Sequence, residues 1–176
     1  MQYERVEGGH AVVVAPITGS DILLIRNPDR RDWKWKLVAE TQKPGESILQ
    51  TLKSGLEEEI GLKDIKTELG ADGKIARFVD PRIKQVVRLG EPEYLENTRI
   101  PHWRHFYGVL LDDSIMSELS GERHTTIEND GRGGTEVEDI HTMKFPLAYL
   151  DQIPNLLRQH EELIRSIPQR TRTIIS

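Results

Sequence analysis

Trp35-Lys36-Leu37-Val38-Ala39-Glu40, Pro44-Gly45-Glu46-Ser47 and Leu56-Glu57-Glu58-Glu59-Ile60-Gly61-Leu62 follow one another closely in this chain. Together they place a Pro-Gly turn ahead of an amphipathic segment. Ile48, Leu49, Leu52, Leu56 and Ile60 recur at three- and four-residue intervals, the spacing of a helix with one apolar face. Ser47 followed by Gln50 fits a capping box, and Gly61 fits the left-handed position that ends a helix. The spacing predicts a helix over residues 47–60.

At about 100° per residue, Glu59, Gly55 and Glu58 succeed one another around the cylinder beside the apolar stripe. One flank is therefore acidic. Successive acids at Glu57, Glu58 and Glu59 repel one another unless a cation sits among them. Hard divalent ions such as Mg²⁺ or Mn²⁺ take oxygen ligands of this kind. The alternative is a solvated helix face, the usual meaning of an isolated acidic triplet. Gly55, at the centre of the acidic flank, costs about 1 kcal/mol relative to Ala in mid-helix.

With 176 residues and 36% hydrophobic content, one domain with a real core is expected over residues 1–176, with tails near 1–7 and 169–176. A net charge of −5 argues against gripping a nucleic-acid backbone by bulk electrostatics. Polyanionic small molecules would need a local basic patch or a bridging metal. The absence of Cys excludes disulfides, a thiol nucleophile and a Cys-based zinc site. The longest apolar runs, such as residues 11–16, are too short to span a bilayer, and a cytoplasmic protein is the simplest reading.

Residues 10–17 and 21–26 read as a hairpin of buried strands across Thr18-Gly19-Ser20. Further strands are expected at 74–79, 83–89 and 102–111. Residues 120–139, centred on Asn129-Asp130-Gly131-Arg132-Gly133-Gly134, read as a long polar loop. Residues 147–153 and 156–164 have helical apolar spacing broken at Pro154, and Arg170-Thr171-Arg172 reads as a frayed tail. Strands that flank a helix, rather than alternating with helices, predict a mixed sheet between helices. No internal repeat, Walker motif or dinucleotide fingerprint occurs.

In register from Glu40 to Leu62, the acidic segment resembles the Nudix box: a Gly, five residues, a Glu, seven residues, then Arg-Glu-apolar-any-Glu-Glu-any-Gly-apolar. Glu46, Leu56, Glu58, Glu59, Gly61 and Leu62 match, whereas Glu40 stands for the opening Gly, Ser54 for the Arg and Gly55 for the Glu after it. The resemblance implies a mixed α/β fold, an α/β/α sandwich with a mixed sheet. It also implies a diphosphate hydrolase acting on a nucleoside diphosphate derivative with Mg²⁺ or Mn²⁺, and a homodimer, with Trp103 or the N-terminal strand as interface. A catalytically silent domain that binds a nucleotide or a protein partner is the alternative.

On that resemblance Glu58 and Glu59 are metal ligands and catalytic groups, Glu40 offers a further metal contact, and Glu46 and Gly61 are structural. Glu46 loses the ion pair that an Arg at position 54 would give. In this family an acid in the late loop often serves as extra ligand or base, so Glu136 is a candidate metal ligand and Glu138 a candidate catalytic acid or base, each alternatively an ordinary strand-edge acid. Both are expected to approach the carboxylate end of the helix, and a Glu restored at position 55 is expected to strengthen the response to divalent cations. Independently of the family, Trp35 with Lys36 offers an aromatic ring beside a cation for base and phosphate, and Arg26 a planar fork for phosphate oxygens. Core packing and a solvated basic loop are the competing accounts. His102 and His105 alternate with aromatics and read as packing or hydrogen-bonding groups.

Overall fold

The computed structural model describes residues 7–28, 34–129 and 134–172; for 122–129 and 134–138 it describes the backbone alone. The apolar run of the first strand, β1 (Gly9–Ile17), is buried on both faces from Ala11 onward, which explains why it shows no polar alternation. β1 turns through Thr18, whose hydroxyl accepts from the Ser20 and Asp21 amides, into β2 (Asp21–Arg26) with Ile17 opposite Ile22. β3 (Val38–Thr41) then lies antiparallel along β1, pairing Val12 with Glu40 and Val14 with Val38.

The helix α1 (Ile48–Glu59) begins where its cap predicts, with Ser47 Oγ accepting from the Gln50 amide at 3.2 Å. It ends at Ile60, and Gly61 takes the left-handed backbone (φ 74°) that turns the chain out of the helix. Two short strands, β4 (Thr67–Leu69) and β5 (Ile75–Phe78), form a separate hairpin. Its base is fastened by Asp80, which accepts from the Lys66 amide and from Arg82 Nε, while Arg82 Nη2 donates to the Lys63 carbonyl. The Arg82 guanidinium holds the Asp80 carboxyl well below the usual carboxylate range.

β6 (Ile83–Arg88) and β7 (Glu93–Leu95) both pair antiparallel with β8 (His102–Leu111), which runs parallel to β1 along its whole length. A short helix, α2 (Asp113–Leu119), is capped by Asp112 accepting from the Ser114 amide. Residues 120–139, read from sequence as a loop, are mostly strand: β9 (Gly121–Asn129) and β10 (Gly134–Pro146) pair from Asn129–Gly134 back to Gly121–Thr142. Alternating Thr, Ile and Val on either side of the sequence Asn-Asp-Gly is a hairpin signal, and the Gly-rich composition masked it. A 3₁₀ turn at Leu147–Gln152 leads to α3 (Arg158–Arg170).

Among the described residues the main sheet has eight strands in the order β6-β8-β1-β2-β10-β9, with β3 on β1 and β7 on β8, and it is mixed because only the β1–β8 pairing in it is parallel. Leu52, Leu56 and Ile60 of α1, with Met116 and Leu119 of α2, bury Val12, Val14, Leu23, Ile25 and Val38 on one face. Leu163, Ile164 and Ile167 of α3 bury Val13, Ala15, Leu24, Leu37 and Phe106 on the other. Each fully buried side chain of this kind contributes about 1.5–3 kcal/mol. The result is the expected mixed α/β sandwich. Arg170 and Thr171 are not frayed: Arg170 Nη1 donates to the Leu89 carbonyl at 2.6 Å, and buried Thr171 donates to the Ile167 carbonyl. Among the described residues no helix is long and apolar enough to cross a membrane.

Candidate functional site

The ladder β1–β3 sets Glu40 opposite Val12, and Val12 belongs to the α1-side core. Residues opposite each other in an antiparallel ladder share a face, so the Glu40 side chain stands under α1. Above it is Gly55. A Cβ at Gly55 would lie 3.4 Å from Glu40 Cβ and 3.2 Å from Val38 Cγ1, so the helix packs on β3 at a separation that leaves little room for a larger residue. Two of the three departures from the expected pattern, Glu at 40 and Gly at 55, thus face each other. The strand beneath the helix carries a carboxyl side chain where the helix carries none.

Glu40, Glu58 and Glu59 form one electrostatic group. Burial, and then the nearby Glu58 and Glu59 carboxylates, push the Glu40 pKa up to about 8, against the weaker opposing effects of the Thr41 amide and Lys43. Burial also raises the Glu58 carboxyl above its ordinary value, with Lys43 and Lys63 pulling it back. Glu57, in contrast, turns out to Lys53, 2.6 Å away one helical turn earlier. Desolvated like charges of this kind disfavour ionisation unless a cation joins them.

Glu46 acquires other partners in place of an Arg at position 54. Its Oε2 accepts from the Thr51 hydroxyl at 3.1 Å and from the Lys43 amide at 3.2 Å, while its carbonyl accepts from Gln42 Nε2 at 2.8 Å. Thr51 is fully buried. The loop before α1 is therefore closed on Glu46 by hydrogen bonds from neutral donors.

The remaining candidates separate. Trp35 is buried in the α3-side core, edge-on to Phe145 at 5.1 Å, and the Arg26 guanidinium lies 4.7 Å from its ring centre while donating to His141. Arg26 and Trp35 are thus on the face away from the carboxylates, in keeping with the core-packing account of Trp35: strand alternation sends Trp35 and Leu37 to one side and Lys36 and Val38 to the other. Lys36 is the member of that trio on the Glu40 side. The side chains of Glu136 and Glu138 lie outside the described residues; their backbones pair with Ile127 and Thr125 on β9. A cavity of about 280 Å³ lined by Leu89, Glu93, Arg104, Phe106, Leu163 and Arg170 opens on the α3 side, and so is separated by the sheet from the carboxylates.

Sequence spacing did not bring out one feature. His10 Nδ1 and His105 Nε2 lie 2.8 Å apart across β1 and β8. Both are on the α1 face, since β1 sets Val12 opposite His105. Burial, followed by His10 and Arg88, lowers the His105 pKa and keeps its ring neutral at pH 7. The pairing depends on strand register, which no local pattern encodes.

No sequence-family profile and no curated protein matches this chain. Solved structures do match in shape. A MutT structure from Aliivibrio salmonicida or Vibrio cholerae superposes with TM-score 0.55 at 16% identity, over 96% of this chain and 100% of that one. An ADP compounds hydrolase gives 0.56 at 12% identity, over 96% and 76%, and a mutT/nudix family protein from Listeria innocua gives 0.56 at 14%, over 96% and 97%. The chain has the Nudix fold. The resemblance seen over residues 40–62 thus extends to the three-dimensional course of nearly the whole molecule, while identities this low speak for the fold alone.

Among the described residues no group of three or more His, Asp or Glu side chains is placed to hold a metal ion. The donor chemistry nonetheless fits a hard cation of the Nudix kind. Mg²⁺ is commonly held by one or two carboxylates, with water and substrate phosphate completing the shell, and Glu58 and Glu59 beside Glu40 supply carboxylates that repel one another without it.

Proposed function

We propose that this chain is a cytoplasmic Nudix-type hydrolase that cuts a diphosphate linkage in a nucleoside diphosphate derivative, with Glu58 and Glu59 holding Mg²⁺ or Mn²⁺. The observation that supports the reading is Glu40 lying beneath Gly55, its Cβ 3.4 Å from where a Cβ at position 55 would stand, with its carboxyl within electrostatic reach of Glu58 and Glu59. A bound divalent ion would neutralise the diphosphate and polarise the attacked phosphorus. The residues do the rest. Water adds to phosphorus, the bridging P–O bond breaks, and the departing phosphate takes the bond's electrons. Glu40 accepts the proton released by the water. A carboxyl poised near neutral pH suits that task, because a general base works best with a pKa near the operating pH. Lys43 and Lys63, whose charges reach Glu58, would steady phosphate oxygens at the rim.

Release of a nucleoside monophosphate from a panel of diphosphates in Mg²⁺ or Mn²⁺ tests the reading directly. Parent protein is expected to turn over at least one member, and Glu58→Gln and Glu59→Gln are each expected to weaken Mn²⁺ binding in calorimetry by tenfold or more, since an amide keeps an oxygen but loses the charge. Absence of turnover across the panel, with Mn²⁺ affinity unaltered in both variants, would leave a non-hydrolytic binding domain.

A further inference from the structure

The cavity on the α3 face is built around two arginines. Strand alternation puts Arg104 of β8, two residues before Phe106, on the Phe106 side of the sheet, and β7 sets Glu93 opposite Arg104. The Arg104 side chain is only 14% exposed. Its Nη2 donates to Glu93 Oε2 at 2.7 Å and its Nη1 to the Gln159 carbonyl at 3.4 Å. Arg170 enters from the last turn of α3. Its Nε donates to Ser166 Oγ at 2.8 Å and its Nη1 to the Leu89 carbonyl, with the guanidinium 5.6 Å from the centre of the Phe106 ring. Gly90 leaves room for it: the residue has φ 113°, and a Cβ there would lie 2.8 Å from Arg170 Nη1.

The charges around this cavity do not cancel. Glu91, at its rim, pairs with Arg88 at 3.0 Å, and Glu93 pairs with Arg104. Arg170 has no carboxylate: among the described residues its partners are a hydroxyl, a carbonyl and an aromatic face, and its Nη2 makes no hydrogen bond. Three arginines against two glutamates leave one positive charge. A single anionic group matches that charge, whereas a polyanion would meet repulsion from Glu91 and Glu93. The rest of the wall is apolar, since Leu89, Phe106 and Leu163 line the same space. At about 280 Å³ the cavity lies near the lower end of small-molecule sites, which span about 300–1,000 Å³. Glu93 indicates the anion. It already places a carboxylate on Arg104, yet it is 60% exposed on a three-residue strand, and a pair so open to water contributes little and is readily exchanged.

We propose that this cavity binds a small monocarboxylic acid with an apolar body, its carboxylate received by Arg170 and Arg104 and its body lying on Phe106, Leu89 and Leu163. The acid takes the place of Glu93 on Arg104 and brings Arg170 the negative charge it lacks. Guanidinium forks suit carboxylate oxygens. The site lies across the sheet from Glu40, Glu58 and Glu59, so its ligand is a second molecule and the proposal does not depend on the hydrolase reading.

The test is calorimetric titration of the full chain with benzoate, phenylacetate and isovalerate, in EDTA so that no divalent ion bridges the probes to the carboxylates of α1. At least one acid is expected to bind saturably, about tenfold or more tightly than its own amide and than inorganic pyrophosphate. Arg170→Gln and Arg104→Gln should each weaken that binding about fivefold or more, because the amide keeps a donor but loses the charge. Glu93→Gln should act in the opposite direction and tighten it about twofold or more by freeing Arg104, a gain that a damaged fold would not give. Saturable binding by none of the acids, an acid no better than its amide, or an affinity indifferent to either arginine would overturn the proposal. So would weaker binding in Glu93→Gln. Pyrophosphate binding more tightly than the acids, and losing that affinity in Arg170→Gln, would overturn it as well by assigning the arginines to a polyanion.

Discussion

The two faces of the sheet treat buried polar groups in opposite ways. On the α3 side each has a partner that satisfies it: His160 Nδ1 accepts from the Leu37 amide at 3.1 Å, Thr171 donates to the Ile167 carbonyl, and Arg170 closes on Leu89. These are structural solutions, and they lock the last helix to the sheet. On the α1 side, burial raises the Glu40 and Glu58 carboxyls, the charges of Glu58 and Glu59 act on Glu40, and His10 abuts His105. That face accepts electrostatic conflict. Conflict of this kind lowers the stability of the empty protein and is relieved by a ligand of opposite charge. The contrast therefore predicts that removing a polar group stabilises one face and destabilises the other.

The largest effect is expected at Glu40. Its folded pKa is raised from 4.5 to about 8, so between those values the folded protein holds a proton that the unfolded chain releases. Stability from this group is then fully present below pH 4.5, falls as pH rises, and is at its lowest above about pH 8. Glu40→Gln removes the titration. The variant is expected to match the parent near pH 4.5 and to exceed it by about 2–4 kcal/mol above pH 8 in urea melts without divalent ions. Hydrolysis should drop at least a hundredfold. A stability difference that ignores pH would break the contrast, because Glu40 would then be as well satisfied as His160.

His160→Leu probes the opposite face. The Leu37 amide would lose its acceptor in a buried site, a loss worth about 1–3 kcal/mol. The expected result is a lower urea midpoint with an unchanged slope and unchanged Mn²⁺ affinity. If metal affinity fell too, the two faces would be coupled through β3.

Much of this architecture was legible in the sequence, and the reasons are local. The β1–β2 hairpin, α1 with its Ser47 cap and Gly61 exit, and β8 each follow from patterns contained within a dozen or so residues. α2 and β7 were not read, since one is short and polar and the other is defined by pairing to β8. The long hairpin β9–β10 was misread because the Gly-rich composition of the segment outweighed the alternation beside it. At the site, Glu58 and Glu59 were legible from helical spacing, but the pairing of Glu40 with Gly55 and the meeting of His10 with His105 depend on which strand lies beside β1. Trp35 and Arg26 show the same limit from the other side. Their spacing left a substrate contact and core packing both open, and the alternation of the strand puts Trp35 in the core.

The smallest stability change, and the most informative about the site, is expected at position 55. Read on a helical wheel, Gly55→Glu restores a carboxylate and improves helix propensity by about 1 kcal/mol. The packing opposes this, because the new Cβ would come within 3.2 Å of Val38 Cγ1 and 3.4 Å of Glu40 Cβ, and overpacking of this kind costs about 1–3 kcal/mol. The single variant is therefore expected to lose about 1 kcal/mol and to gain no activity, since a further carboxylate enters a site already short of compensating charge. Glu40→Gly/Gly55→Glu exchanges the two residues. It removes the Glu40 side chain from beneath the helix, leaves only Val38 to adjust, and keeps the number of carboxylates constant. The exchanged protein should recover most of the lost stability, bind Mn²⁺ within about threefold of the parent, and hydrolyse at a rate far above that of Glu40→Gln. An exchange that behaves no better than Gly55→Glu alone would show that Glu40 and the missing helix carboxylate are not interchangeable, and that the closeness of α1 to β3 answers only to packing.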